Sequence, residues 1–101
     1  MFNLFNNKKD ALRTTLKNNP LLVDVRTRVE FLQGSVEGAV NIPLDNIENN
    51  IAKFKSKPSV VVFCRSGGRA SAAVHLLHQH GVENVTNGGS WQDVRDLLKQ
   101  L

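Results

Sequence analysis

The fold is decided by the stretch SVVVFCRSGGR, residues 59–69, which leads directly into a helical pattern over residues 70–80. Its short apolar run is rich in β-branched residues and follows Pro58, which indicates a strand buried on both faces of a parallel sheet. Cys64, the only cysteine of the chain, stands at the end of that strand. The stretch therefore predicts an α/β fold with a thiol at the carboxyl edge of the sheet, where open α/β sheets bind their ligands.

The loop after Cys64 has the composition of an anion-binding turn. Its two glycines allow it to curl tightly, so that successive backbone N–H groups point toward one atom at the N-terminus of the next helix. The helix dipole, together with Arg65 and Arg69 if they fold over the loop, would lower the thiol pKa. Cys64 is thus predicted to be an exposed nucleophile, ionised at neutral pH. The alternative, a small buried hydrophobe, is more typical of a cysteine in the middle of a strand.

Length and composition indicate a single soluble globular domain over residues 1–101. The net charge of +4 is spread along the chain and suits a small anion, and no motif supports a nucleic-acid partner. No apolar run approaches the roughly 20 residues that cross a bilayer, and the N-terminus lacks a secretion signal, so we expect no membrane association and a cytoplasmic location. A lone cysteine excludes an internal disulfide and stays reactive in a reducing compartment.

Strand and helix patterns alternate along the chain, which argues for a parallel sheet with helices on both faces. Besides the strand before Cys64, strands are predicted at residues 21–25, 38–43 and 82–86, with a short edge segment at residues 2–5 and a turn at residues 87–89. Helices are predicted at residues 10–18 with Asp10 as N-cap, 28–33 with a Thr27–Glu30 capping box, 44–54, 70–80 ended by Gly81, and from Ser90 onward with Asp93 completing a second capping box.

Five motifs together carry a resemblance to single-domain rhodanese-homology proteins. They stand in that family's order between residues 21 and 91: LVDVR at 22–26, EF at 30–31, GAVNIP at 38–43, CRSGGR at 64–69 and NGG at 87–89. The chain differs from the usual pattern at Ser35, where a histidine is common, and in a shorter spacing from the double glycine to Trp91. The resemblance implies a five-stranded parallel sheet and a sulfurtransferase that carries a persulfide on its loop cysteine.

Mapped by motif, Cys64 resembles the sulfur carrier, and the loop that cradles the sulfur corresponds to Arg65, Ser66, Gly67, Gly68 and Arg69. The chemistry this implies is a ping-pong reaction, with thiosulfate or a similar small anion as donor and cyanide or a thiol as acceptor. A sulfur-relay protein is a further expected partner. The reaction needs no cofactor or metal, and little proton transfer, because the leaving group is already a stable anion.

Two other functions share features with this sequence. Cysteine-dependent phosphatases and arsenate reductases also place a cysteine on an anion-binding loop before a helix, but with five residues before the arginine, whereas Cys64 and Arg69 are separated by four. A tetrahedral phosphate should not fit so short a loop. Non-catalytic binding modules with the rhodanese fold commonly lose the cysteine, which this chain keeps. Sulfur transfer is therefore the favoured function.

Several polar residues outside the loop have structural interpretations. Asp24 and Arg26 are expected to make structural hydrogen bonds, with an ion pair from Arg26 to Glu30 as one arrangement. His75 and His78 have a spacing that could bind zinc on a helix, but no cysteine or carboxylate cluster joins them, so a solvated helix face is favoured. Trp91 could line the mouth of the loop, although a role in covering the core is preferred.

Overall fold

The computed structural model describes residues 7–101, which fold as an α/β structure with a parallel sheet. This part of the chain has four strands, in the spatial order β2-β1-β3-β4. The elements follow one another as α1 (Asn7–Lys17), β1 (Leu21–Asp24), α2 (Arg28–Leu32), β2 (Val40–Asn41), α3 (Ile51–Lys55), β3 (Val60–Cys64), α4 (Gly68–Gln79), β4 (Val85–Ser90) and α5 (Trp91–Lys99).

The sheet has four strands in residues 7–101, so the expectation of five was wrong for this part of the chain. Each of the four apolar stretches identified in the sequence supplies one strand, and the segments between them form helices and turns. The edge segment expected at residues 2–5 lies outside the described residues. Neighbouring strands are all parallel, as expected from the alternation of strand and helix patterns.

Strand β3 is central to the sheet and is buried along its whole length, as its unbroken apolar run predicts. It hydrogen-bonds with β1 on one side and with β4 on the other. Its side chains alternate between two hydrophobic clusters, with Val60, Val62 and Cys64 in one and Val61 and Phe63 in the other. The cysteine side chain therefore lies on the same side of the sheet as the buried face of α4.

Helices cover both faces of the sheet, which confirms the predicted layers. On one face, α4 packs through a buried stripe that includes Ala73 and Leu77, and α3 contributes the fully buried Phe54. On the other face, α1 packs through Leu12 and Leu16, joined by the buried Val94 and Leu97 of α5. The small residues of α4 allow its backbone to lie close to the strand that ends in the cysteine.

The predicted helix over residues 44–54 is broken into three short pieces. Two 3₁₀ turns, Leu44–Asn46 and Glu48–Asn50, precede α3. The Asn50 side chain donates to the Asn46 carbonyl at 2.8 Å, and the Asn50 backbone leaves the helical region. Side chains of this kind compete with the backbone for hydrogen bonds and favour turns over continuous helix. The first helix also differs, because it begins at Asn7, so that Asp10 lies in its first turn and does not cap it.

Strand β4 begins and ends later than predicted, and it contains the segment 87–89 that was predicted as a turn. Val62 pairs with Asn87 and Cys64 pairs with Ser90, so β4 has one more residue than β3 over this interval. The two glycines thus form a bulge inside a strand. Gly88 is required there, because a Cβ at this position would lie 2.8 Å from methyl groups of Val61 and Val94.

The close approach at Gly88 predicts the effect of adding a single methyl group. Gly88→Ala should lower the free energy of unfolding by about 1–3 kcal/mol, the usual range for overpacking a core. Urea denaturation followed by circular dichroism would measure the shift. Gly68→Ala is the matched control, because a Cβ built there would meet no atom within 4 Å beyond its chain neighbours and its own helix backbone, and its φ does not need a glycine. Equal stability of Gly88→Ala and wild type would contradict the packing described.

Candidate active site

Cys64 lies at the carboxyl end of β3, but its side chain is buried, with 1% of the residue exposed. The expectation of an exposed cysteine is therefore wrong. The physical reason is that the loop turns inward over the strand end, and the Gly67 N–H donates to the Cys64 sulfur at 3.0 Å. The sulfur is therefore covered by the loop that follows it.

Backbone N–H groups of the loop and the first turn of α4 surround the sulfur. Burial of the Cys64 thiol acts to raise its pKa, but hydrogen bonds from the backbone of Ala70, Ser66, Gly67 and Arg69 outweigh it and lower the pKa below its ordinary value. Hydrogen bonds to the charged form of a group always favour that form. The site therefore stabilises a thiolate, and it does so with main-chain groups.

The loop reaches this shape through Gly67, the residue that precedes α4. Its φ of 101° lies in the left-handed region, which residues with a Cβ rarely adopt. This conformation turns the Gly67 N–H back toward the strand end while α4 starts at Gly68. The helix N-terminus thus faces the sulfur, and the partial positive charge of the helix favours the anion there.

Asn87 supports the loop from the neighbouring strand, and sequence reasoning gave it no role. Its side-chain amide donates to the Gly67 carbonyl at 3.2 Å, and its side-chain oxygen accepts the Gly89 N–H at 2.8 Å. The bulge of β4 and the cysteine loop are thereby joined. An asparagine just before two glycines is the one sequence signal for this contact, but the same pattern is typical of a turn.

The Arg69 side chain is held by Glu30 of α2. The two side chains form a bidentate ion pair with nitrogen–oxygen distances of 2.7 and 3.0 Å. The Arg69 guanidinium, with help from the backbone of Thr27, holds the pKa of the Glu30 carboxyl at about 2, compared with an ordinary 4.5. The same hydrogen bond raises the pKa of Arg69. The Glu30–Arg69 ion pair thus joins α2 to the end of the cysteine loop.

Arg65, the other loop arginine, is exposed, and its side chain makes no ion pair within residues 7–101. Ser66 is also exposed, whereas Gly67 is partly buried. Ser66 and Gly67 border an open groove of about 690 Å³ that extends toward Lys8 and Lys9 at the start of α1. Around the buried sulfur, Arg65 is thus the loop cation that remains available to an incoming anion.

Asp24 and Arg26 form a buried structural pair at the end of β1. The Arg26 guanidinium donates to both carboxylate oxygens of Asp24, at 3.0 Å to Oδ1 and 2.8 Å to Oδ2, and also to the Gly34 carbonyl. The Ser35 hydroxyl donates to Asp24 at 2.7 Å. These contacts agree with a structural role for Asp24 and Arg26. The predicted Arg26–Glu30 ion pair was wrong, because Arg26 binds Asp24 and Glu30 binds Arg69.

Trp91 is partly buried and packs against the hydrophobic cluster of α1 and α5, as preferred from the sequence. Its ring lies between two guanidinium groups, those of Arg26 and Arg95, each 5.1 Å from the ring centroid. His75 and His78 are exposed on α4. Within residues 7–101 there is no group of three or more histidine, cysteine or carboxylate side chains that could hold a metal ion.

Comparison with known proteins places the fold and the cysteine loop in one family. The family model described as a rhodanese-like domain matches residues 8–95. The chain belongs to this family. The motif that surrounds Cys64 in this rhodanese-like chain lies within the matched residues, as do Glu30 and Asn87. Each helix in residues 7–101 is too short or too polar to cross a lipid bilayer.

Several relatives of this rhodanese-like chain are named as sulfurtransferases. The putative mitochondrial thiosulfate sulfurtransferase of Schizosaccharomyces pombe is 37% identical over 101 residues, covering 86% of this chain and 71% of that protein. The Escherichia coli thiosulfate sulfurtransferase PspE is 32% identical, with 71% of each chain covered. Among solved structures, the human single-domain sulfurtransferase TSTD1 superposes with a TM-score of 0.69 at 26% identity, covering 86% of this chain and 91% of that one.

The Glu30–Arg69 ion pair predicts how the stability of this rhodanese-like chain depends on pH. Because the folded pKa of Glu30 is depressed to about 2, its contribution is complete above 4.5 and is lost as the pH falls toward 2. Glu30→Gln should therefore be less stable than wild type near neutral pH, and the difference should disappear near pH 2. Urea unfolding at a series of pH values would measure it.

The control for this comparison is Glu37→Gln, at an exposed carboxylate that makes no ion pair within residues 7–101. It should follow the wild-type pH profile. A constant difference between Glu30→Gln and wild type across the whole range would show that Glu30 stabilises the fold through uncharged contacts alone.

Proposed function

We propose that this chain is a sulfurtransferase that carries a sulfane sulfur as a persulfide on Cys64. The observation that carries this proposal is the convergence of backbone N–H groups on a buried sulfur whose pKa they lower. The donor is thiosulfate or a similar small anion, and the acceptor is cyanide or a thiol. The relatives named as thiosulfate sulfurtransferases support the same chemistry.

The first half-reaction loads the enzyme. The Cys64 thiolate attacks the outer sulfur of thiosulfate, a new S–S bond forms to that sulfur, and the original S–S bond breaks with its electron pair on the departing sulfite. The terminal persulfide sulfur then carries the negative charge. It occupies the space that the loop N–H groups face, so the groups that stabilise the thiolate also stabilise the loaded form.

The second half-reaction returns the free thiolate. Cyanide attacks the terminal sulfur, a C–S bond forms, and the S–S bond breaks with its electrons on Cys64, giving thiocyanate. With a thiolate as acceptor, the same attack gives the acceptor's persulfide. No proton has to be transferred in either step, which fits a site where, within residues 7–101, no acid or base lies among the groups bonded to the sulfur.

The loop residues take different roles in this mechanism. Ser66, Gly67 and Arg69 contribute backbone N–H groups, and Gly68 opens the helix that faces the sulfur. Arg65 attracts the anionic donor with its side chain, because it has no competing ion pair within the described residues. The Arg69 side chain is a positioning group, since Glu30 already neutralises its charge.

Loop length supports sulfur transfer over phosphate chemistry. With four residues between Cys64 and Arg69, the N–H groups converge on one sulfur atom, and the Gly67 N–H is only 3.0 Å from it. A phosphoryl group needs a wider ring for its three equatorial oxygens, and the arginine that would bind them is held by Glu30. The retained cysteine argues equally against a purely non-catalytic module. A reducing compartment such as the cytoplasm suits the free thiol.

Mass spectrometry gives the direct test of the persulfide. Incubation of the purified protein with thiosulfate should add the mass of one sulfur atom, and cyanide should remove it with formation of thiocyanate. Cys64→Ser should show neither change, because the attacking thiolate is lost, while its circular dichroism spectrum stays that of the wild type. Sulfur loading on the Cys64→Ser variant, or none on the folded wild type, would refute the proposed carrier.

Substitution of Arg65 separates donor attraction from thiol activation. Arg65→Ala should raise the KM for thiosulfate about two- to five-fold, because an exposed cation contributes about 1 kcal/mol or less. The pH profile of iodoacetamide alkylation should stay unchanged, since backbone N–H groups lower the thiol pKa. Lys17→Ala, which removes an exposed charge from α1, is the control for net charge. A shifted alkylation profile in Arg65→Ala would assign Arg65 a share in activating the thiol.

A further inference from the structure

The outer surface of α2 has an unusual concentration of exposed apolar side chains. Val29 is 67% exposed and Leu32 is 65% exposed, and none of the residues of this helix is buried. Among residues 7–101, the one further large hydrophobic residue with such exposure is Leu101 at the chain end. Residues three apart on a helix lie side by side, so Val29 and Leu32 form one continuous apolar patch.

The helix that carries this patch lies beside the proposed active site. Glu30, which projects from a different face of α2 than Val29 and Leu32, holds Arg69 at the end of the cysteine loop. Strands β1 and β3 are parallel neighbours, so α2, which follows β1, and the loop, which follows β3, leave the sheet at the same edge. A molecule that reaches the sulfur from outside therefore passes close to α2.

Two exposed arginines lie on α2 and on the cysteine loop. Arg28 begins α2, next to Val29, and Arg65 belongs to the cysteine loop. Both are exposed, and they are the arginines that make no ion pair within residues 7–101, whereas each of the others is bound to a carboxylate. Apolar side chains bordered by free cations are complementary to an acidic surface with apolar residues at its centre.

We propose that Arg28, Val29, Leu32 and Arg65 form a docking surface for a protein that accepts sulfur from Cys64. The acceptor carries its reactive thiol on a segment with leucine-like and acidic side chains. This inference rests on the proposed sulfur transfer and specifies the class of acceptor. A small patch suits the task, because an acceptor must leave after each transfer and small interfaces are transient. Small acceptors such as cyanide have no need of this surface.

Two synthetic peptides serve as probes of the surface. One has a single cysteine flanked by leucine and glutamate residues, and the other has serine in place of each leucine. With protein loaded from thiosulfate, kcat/KM for sulfur transfer to the leucine peptide should exceed that for the serine peptide by roughly ten-fold, from partial burial of two apolar side chains. Exchange of glutamate for lysine in the leucine peptide should lower its kcat/KM at low salt.

The double variant Val29→Ser/Leu32→Ser tests whether α2 causes the preference for the leucine peptide over the serine peptide. It should transfer sulfur to cyanide at the wild-type rate, because neither side chain belongs to the cysteine loop. Its kcat/KM for sulfur transfer should be the same for the two peptides. Leu101→Ser is the matched control, since it removes an exposed apolar side chain from the far end of the chain. It should keep the roughly ten-fold preference of the wild type.

The outcomes separate this inference from the proposed function. If wild-type protein transfers sulfur to cyanide but treats both peptides alike, the docking surface is refuted while the sulfurtransferase stands. A preference that Leu101→Ser loses as fully as the double variant does, or that the double variant retains, also refutes it. Failure of wild-type protein to transfer sulfur to cyanide refutes the proposed function itself. The comparison of peptides on wild-type protein needs no variant to fold.

Discussion

The hydrogen bond from the Gly67 N–H to the Cys64 sulfur is the contact on which the site depends. It can form because β3 holds the cysteine at a fixed depth, buried on both faces between two layers of helices. Gly67 then turns the chain back over the strand end with a left-handed φ of 101°, which residues with a Cβ rarely adopt. The result is an anion site made from main-chain groups, whose positions are set by the sheet and by α4. Such groups need no rearrangement when charge moves onto the sulfur.

Arg65 and Arg69, the two arginines of the loop, have different roles because only Arg69 forms an ion pair within residues 7–101. Arg69 is bound to Glu30, so its charge is neutralised locally, and its role is to join α2 to the start of α4. Arg65 has no such partner within residues 7–101. The bulge of β4 supports the same loop through Asn87, so the cysteine loop is held by β4 on one side and by α2 on the other. These contacts come from segments far apart in the sequence.

The sequence predicted those features that depend on local pattern. The burial of β3, the capping box at Thr27, the end of α4 before Gly81 and the helices on both faces follow from composition and spacing. The bulge at residues 87–89 was mistaken for a turn, because asparagine and glycine suit both, and only the partner strand distinguishes them. Periodicity alone could not separate continuous helix from successive 3₁₀ turns over residues 44–54. The partner of Glu30 and the depth of Cys64 depend on tertiary packing.

The depth of Cys64 also determines which sulfur atom meets the solvent. With 1% of the residue exposed, the cysteine sulfur is shielded by the loop, and in a persulfide the outer sulfur would lie between it and the opening. Oxidants would then attack the outer atom first. Oxidation of a cysteine sulfur itself to sulfinic or sulfonic acid is essentially irreversible. An oxidised outer sulfur, in contrast, is still joined through an S–S bond that a thiol can cleave. In the persulfide form proposed here, the outer sulfur would therefore protect Cys64 from irreversible oxidation and could be replaced afterwards.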